Sequence, residues 1–228
     1  ARVEQATINY LDAFLRSPDG VFYASQDADL KPGEHSSEYF DLDDNARRAQ
    51  GIPRVDQHVY RSYNGSIIEG LAAWHEASGE QKALDQARTA ARWIIAHRSL
   101  PKGGFRHDAS DATGPYLGDT LAIGRAFLAM YRADGDRDWL RRASAAAGFI
   151  ETHFRNADGG YNTAVAHGTI PSVPVTDEVI PLVRFANLLA YYSGDKAQTA
   201  MAKHGMRWLD TAQAALRTAS RLGILLAD

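Results

Sequence analysis

Acidic side chains gather at three places where the sequence otherwise reads as loop. The first is the run Ser17-Pro18-Asp19-Gly20-Val21-Phe22-Tyr23-Ala24-Ser25-Gln26-Asp27-Ala28-Asp29. In an extended segment Asp27 and Asp29 project to the same side. Two convergent carboxylates can bind a divalent ion, raise one another's pKa for acid–base work, or accept hydrogen bonds from sugar hydroxyls. The same pair can instead cap local turns. The second place runs Gly103-Gly104-Phe105-Arg106-His107, then Asp111, then Gly114-Pro115-Tyr116-Leu117-Gly118-Asp119. His107 suits a base or a partner for a carboxylate's proton, and Asp119 falls where a helix start favours an acid. The third is Val173-Pro174-Val175-Thr176-Asp177-Glu178. Thr176 or Asp177 is a natural N-cap, which leaves Asp177 or Glu178 to point away from the helix. The catalytic candidates are therefore Asp27, Asp29, His107, Asp119, Asp177 and Glu178. Tyr23, Asn64, Arg106 and Tyr116 are the candidates for holding a substrate, since aromatic rings stack on sugars and polar tips bond hydroxyls.

Helices must position these groups. The linkers Ala77-Ser78-Gly79-Glu80, Ala133-Asp134-Gly135-Asp136 and Tyr192-Ser193-Gly194-Asp195 share one design. Glycine supplies a left-handed helix C-terminus and an acid follows for the next helix start. Two pairs also close alike, in Lys102-Gly103-Gly104-Phe105 and Asp158-Gly159-Gly160-Tyr161, and Gly103 to Gly159 is a step of 56 residues. A helical-hairpin repeat has this scale. The first helix of each pair (64–77, 117–133, 178–192) is apolar over a wide arc and must be covered on several sides. The second carries a narrow stripe, as in Leu84, Ala87, Ala91 and Ile94 opposite Lys82, Asp85, Arg88 and Arg92. The fold expected is all-α: an α/α toroid of inner and outer helices, with short β-hairpins near 21–24 and at the Gly-Gly-aromatic turns. A helix over 3–16 reads as a further outer member. The long connections 17–63, 99–116 and 155–177 should then share the face at the inner-helix N-termini, which becomes the candidate site. A closed toroid of six hairpins needs about twice the helices read here. The chain 1–228 is thus expected to form a single partial toroid domain, the alternative being a smaller open array.

Composition narrows the chemistry further. Lys and Arg number 25 against 28 Asp and Glu, a formal charge of −3, so no basic surface for nucleic acid or an anionic membrane stands out. No apolar stretch approaches the roughly 20 residues of a membrane span. With no cysteine, disulfides, thiolate metal sites and thiol catalysis are excluded. The sequence has no G-x-S-x-G elbow, phosphate-binding loop, dinucleotide fingerprint or H-E-x-x-H. Neither a cofactor nor a metal site is expected, and His75, His97, His153 and His204 read as structural.

At these residues the sequence resembles the spermatogenesis-associated protein 20 group, in which a thioredoxin-like domain precedes a six-hairpin glycosidase-like helical domain. The matching words are Asp19-Gly20-Val21-Phe22-Tyr23, Ser25-Gln26-Asp27-Ala28-Asp29, Tyr39-Phe40, Asn64-Gly65, Gly104-Phe105-Arg106-His107, Tyr116-Leu117-Gly118-Asp119, Gly135-Asp136 with Trp139-Leu140, and Asp158-Gly159-Gly160. The segment 34–63 is shorter than that group's usual insert. The resemblance implies a toroid related to glycoside hydrolases and sugar 2-epimerases. It also implies a thioredoxin-like domain, absent from this sequence, as partner within a longer chain. The expected ligand is a carbohydrate held in an acidic funnel. In a hydrolase, carboxylates about 5–5.5 Å apart predict retention and about 6.5–9.5 Å inversion. In an epimerase, His107 or another loop histidine faces a carbon-bound proton. The alternative is a non-catalytic scaffold presenting the same loop face to a protein partner.

Overall fold

Three glycines set the hairpins: Gly79, Gly135 and Gly194 have φ of 75°, 73° and 70°, and each directly follows the helix it ends. The computed structural model describes residues 2–34, 37–109, 114–165, 172–212 and 214. The chain falls into two units, 1–60 and from Arg61 onward.

The second unit holds the three hairpins. They are α4 (Arg61–Ser78) with α5 (Gln81–Arg98), α6 (Leu117–Asp134) with α7 (Arg137–His153), and α8 (Thr176–Ser193) with α9 (Lys196–Leu209). Asp136 and Asp195 cap α7 and α9 by accepting from Asp138 N and Ala197 N, the role expected of the acid after each glycine. Helix α6 packs on α4, α5, α7 and α8, and so buries Leu117, Leu121, Ile123, Phe127, Leu128 and Met130. Helices α4, α6 and α8 form the successive inner row, each backed by its own outer helix. This is the arrangement of an α/α toroid. Contact between α4 and α6 is close because Gly65 has no side chain: a Cβ there would lie 2.7 Å from the backbone carbon of Ala122. Equivalent positions of the two helices also pair across a 56-residue interval, Arg125 with Glu69 at 2.9 Å and Arg132 with Glu76 at 2.9 Å.

The outer helices close with a common hairpin. Ser99 bridges Phe105 and Arg155 bridges Tyr161, and each aromatic ring is buried. The two long connections of this unit meet. Tyr116 bridges Ala164, Leu117 N donates to Thr163 O at 2.8 Å, and Asn162 bridges Pro174. The shared face expected for these two loops is therefore observed.

In the first unit α1 (Arg2–Tyr10) continues into a π-helical turn, Leu11–Leu15, closed by Arg16 N donating to Leu11 O. Arg16 then bridges Phe22, the hairpin of the outer helices again, and Val21 and Phe22 are buried. Strand β1 (Ser25–Gln26) pairs antiparallel with β2 (Val55–Asp56). Between them lie α2 (Ser37–Asp41) and α3 (Asp44–Gln50), two short helices where the sequence reads as loop. Asp43 caps α3 through Ala46 N. No described helix is long and apolar enough to cross a membrane. Asp111 lies outside the described residues.

Candidate functional site

The closing hairpin after α5 delivers His107. Leu100 N bonds Gly104 O and Arg106 N bonds Arg98 O, which holds the turn, and Phe105 N donates to Thr120 Oγ1, which pins the turn to α6. Two residues on, His107 Nδ1 lies 2.9 Å from Oδ2 and 3.1 Å from Oδ1 of Asp119. Asp119 is the third residue of α6, where the helix start favours an anion, and only 3% of it is exposed. An ionised carboxylate only accepts, so Nδ1 carries the proton and Nε2 is the basic nitrogen. Tyr116 stands edge-on to the imidazole at 5.7 Å.

The loop before α8 delivers Glu178. Ser172 Oγ accepts from Ala164 N and the chain then enters α8 with Val175 as N-cap. Neither Thr176 nor Asp177 takes the capping place. Thr176 is the first helical residue and is buried, its hydroxyl without a hydrogen bond among the described residues, and Asp177 is exposed. Val175 already has the extended backbone a cap requires, so the helix begins one residue early. This turns Glu178 onto the N-terminus of α6, where the Gly118 amide donates to it. Burial, then the Asp119 charge, push its carboxyl up to about 7, and Asp177 adds to the rise. Oε2 is buried and has no hydrogen bond within the described structure.

Ser62, His107, Tyr116, Gly118, Asp119, Thr163 and Glu178 line one cleft of about 350 Å³. It contains a base positioned by a carboxylate and, beside that carboxylate, an acid that holds its proton near neutrality. Such a pair can remove one proton and supply another. Ser62 and Thr163, whose hydroxyls can bond a polar ligand, carry no sequence signal of their own.

The remaining candidates stand apart from this cleft or in the other unit. Asn64 lies within α4, wholly buried, and Arg106 is exposed. Tyr23, Asp27 and Asp29 belong to the first unit. There Asp27 Oδ1 accepts from Asp29 N at 3.1 Å and closes a local turn, the other role open to this pair. The four histidines read as structural have local roles. His75 and His97 bond backbone carbonyls, His153 packs on Phe149, and His204 Nε2 bonds Asn156 O at 2.8 Å while burial lowers its pKa. No described group of three or more His, Asp or Glu is arranged to hold a metal ion.

No family model matches the chain, and no curated protein matches its sequence. Its fold is shared with solved structures of carbohydrate-active proteins. A sugar epimerase from a ruminal bacterium is 16% identical, with a TM-score of 0.66 over 87% of this chain and 50% of its own. A glycoside hydrolase family 76 mannosidase from Bacteroides thetaiotaomicron is 15% identical, with a TM-score of 0.57 over 65% of this chain and 43% of its own. An inactive doubly substituted α-1,6-mannanase of Salegentibacter sp. HEL1_6, in complex with α-1,6-mannotriose, is 12% identical, with a TM-score of 0.60 over 92% of this chain and 70% of its own. The chain spans about half the length of the epimerase and the mannosidase. Its fold is the α/α toroid of the six-hairpin glycosidases and sugar epimerases.

Proposed function

We propose that the second unit belongs to a carbohydrate-processing protein and that its cleft moves protons on a sugar. The observation that carries this is His107 on Asp119, in one cleft with Glu178, whose carboxyl burial pushes up to about 7. A neutral sugar supplies hydroxyls for Ser62 and Thr163, and the fold's neighbours include a sugar epimerase and a mannanase bound to mannotriose.

Between the two reactions open to such a cleft, the geometry favours epimerisation or isomerisation over hydrolysis. Both oxygens of Asp119 face the imidazole and the residue is buried, which argues against its attacking an anomeric carbon. In the reaction proposed, His107 Nε2 takes the proton from the carbon next to an open-chain sugar carbonyl. The C–H electron pair becomes the C=C bond of an enediol while the carbonyl oxygen takes a proton from Glu178. His107 then returns its proton to the former carbonyl carbon while the other enediol oxygen gives its proton to Glu178, which completes an aldose–ketose isomerisation and restores both groups. The words shared with the spermatogenesis-associated protein 20 group further suggest a thioredoxin-like domain as partner within a longer protein.

The test is exchange of the sugar's C2 proton with deuterium from solvent, followed by NMR with mannose, glucose and fructose. Exchange in the wild type, lost in His107→Ala, supports the reading. Binding of mannotriose with its glycosidic bond cleaved and no carbon-bound exchange would replace it with hydrolysis, and a wild type that neither exchanges nor binds any of these sugars would overturn it.

A further inference from the structure

The second positions of the three inner helices are Ser62, Gly118 and Asp177, and the third are Tyr63, Asp119 and Glu178. At the second position only α6 has a glycine, and it is there that the acid of the next repeat comes to rest. A Cβ built on Gly118 would lie 2.8 Å from Glu178 Oε1 and 3.8 Å from its Cδ, and would meet no other described atom outside its own helix within 4 Å. The space that glycine leaves empty is filled by one carboxyl group.

We infer that Gly118 is a positioning residue: its missing side chain lets Glu178 of one repeat seat its carboxyl on the α6 N-terminus, against the His107–Asp119 pair of the preceding repeat. Two independent observations carry this. The first is the contact just described. The second is that Glu178 Oε2 is buried without a hydrogen-bond partner among the described residues, so beyond the one bond from the Gly118 amide the fold does not satisfy this carboxyl. Gly118 is helical and lacks the left-handed φ of the turn glycines, so neither backbone conformation nor helix propensity calls for glycine there. The role assigned to Gly118 rests on the cleft proposed above, since it concerns delivery of that cleft's acid.

The distinguishing substitution is Gly118→Ala. Where a glycine is required by packing against backbone, alanine lowers stability. Here the added methyl meets only the far end of a flexible side chain, and alanine is the better helix former. The melting temperature should therefore hold or rise while the carboxyl is pushed off its seat. Carboxyl-¹³C-labelled glutamate reports the result by NMR, with Glu178→Gln assigning the resonance. In the wild type Glu178 should titrate near 7. In Gly118→Ala its midpoint should fall by at least about one pH unit as it moves toward solvent and away from Asp119. Glu178→Asp, one methylene too short to reach Gly118 and followed with carboxyl-¹³C-labelled aspartate, should likewise titrate below the wild-type midpoint in a folded protein. An unchanged midpoint in Gly118→Ala, a fall in its melting temperature, or a Glu178→Asp carboxyl still titrating near 7 would overturn the inference. Sugar exchange is measured on the same samples. A shifted midpoint without exchange by the wild type refutes the sugar reaction and leaves the seat of Glu178 standing.

Discussion

Replacing Glu178 by glutamine should stabilise the protein at alkaline pH and leave it unchanged in acid. The folded chain raises this carboxyl from 4.5 to about 7, chiefly by burial and then by the charge on Asp119. Below about pH 4.5 the group is protonated folded and unfolded alike, and contributes no difference. Between about 4.5 and 7 the folded state keeps a proton that the unfolded chain has released, so stability falls as pH rises through that window. Above it, both states are ionised and the fold carries the full cost, on the order of 2–3 kcal/mol after allowing for partial exposure. Glutamine has nearly the same shape, its carbonyl can accept from the Gly118 amide, and it does not titrate. The variant should match the wild type near pH 4.5 and exceed it above pH 7. For a chain of this size the gain corresponds to a rise of roughly 4–12 °C in melting temperature. Thermal unfolding followed by far-ultraviolet circular dichroism from pH 4.5 to 8 measures the difference, and groups common to both proteins cancel. Parallel curves for the two proteins would refute the burial argument, as would a variant less stable at pH 8.

Three further outcomes follow from the same contacts. Asp119→Asn removes the charge that helps hold the proton on Glu178, so the Glu178 midpoint should drop in a carboxyl NMR titration. The same change misorients His107 and should slow sugar proton exchange by at least about 100-fold. Gly65→Ala drives a methyl into the Ala122 backbone and should cost about 1–3 kcal/mol in urea unfolding, the opposite sign to Gly118→Ala. Asp134→Ala strips the acceptor from Arg88 of the preceding hairpin (3.0 Å) and from the Trp139 indole of its own hairpin (3.3 Å), and should cost about 1.5–3 kcal/mol in the same assay.

The hairpins were legible because their signals are local. Each Gly-acid turn announces its own backbone, and the inner helices expected at 64–77, 117–133 and 178–192 are found at Arg61–Ser78, Leu117–Asp134 and Thr176–Ser193. The helices α2 and α3 were not legible. They have five and seven residues, too short to show an apolar period, and only Asp43 marks a start. Pairing of β1 with β2 was hidden because the strands are two residues long and 28 residues apart. In the cleft, His107, Asp119 and Glu178 were visible as residue types at helix starts and loop ends. Which of Asp177 and Glu178 turns inward was not, because it depends on where α8 begins, and Val175 took the cap without a side-chain hydrogen bond. Ser62 and Thr163 enter the cleft through the packing of three separate segments, which no spacing along the chain records.

The paired charges at Glu69 with Arg125 and Glu76 with Arg132 constrain how such an array can have arisen. Both members of each couple occupy the same helical position one repeat apart. A tandem of faithful duplicates would set glutamate against glutamate, or arginine against arginine, along the whole seam. Divergence at these sites is thus a condition for the copies to lie side by side. It also lends the row a polarity, since α4 offers only the acidic half of each couple and α6 only the basic half, and exchanging the order of the hairpins would break the match.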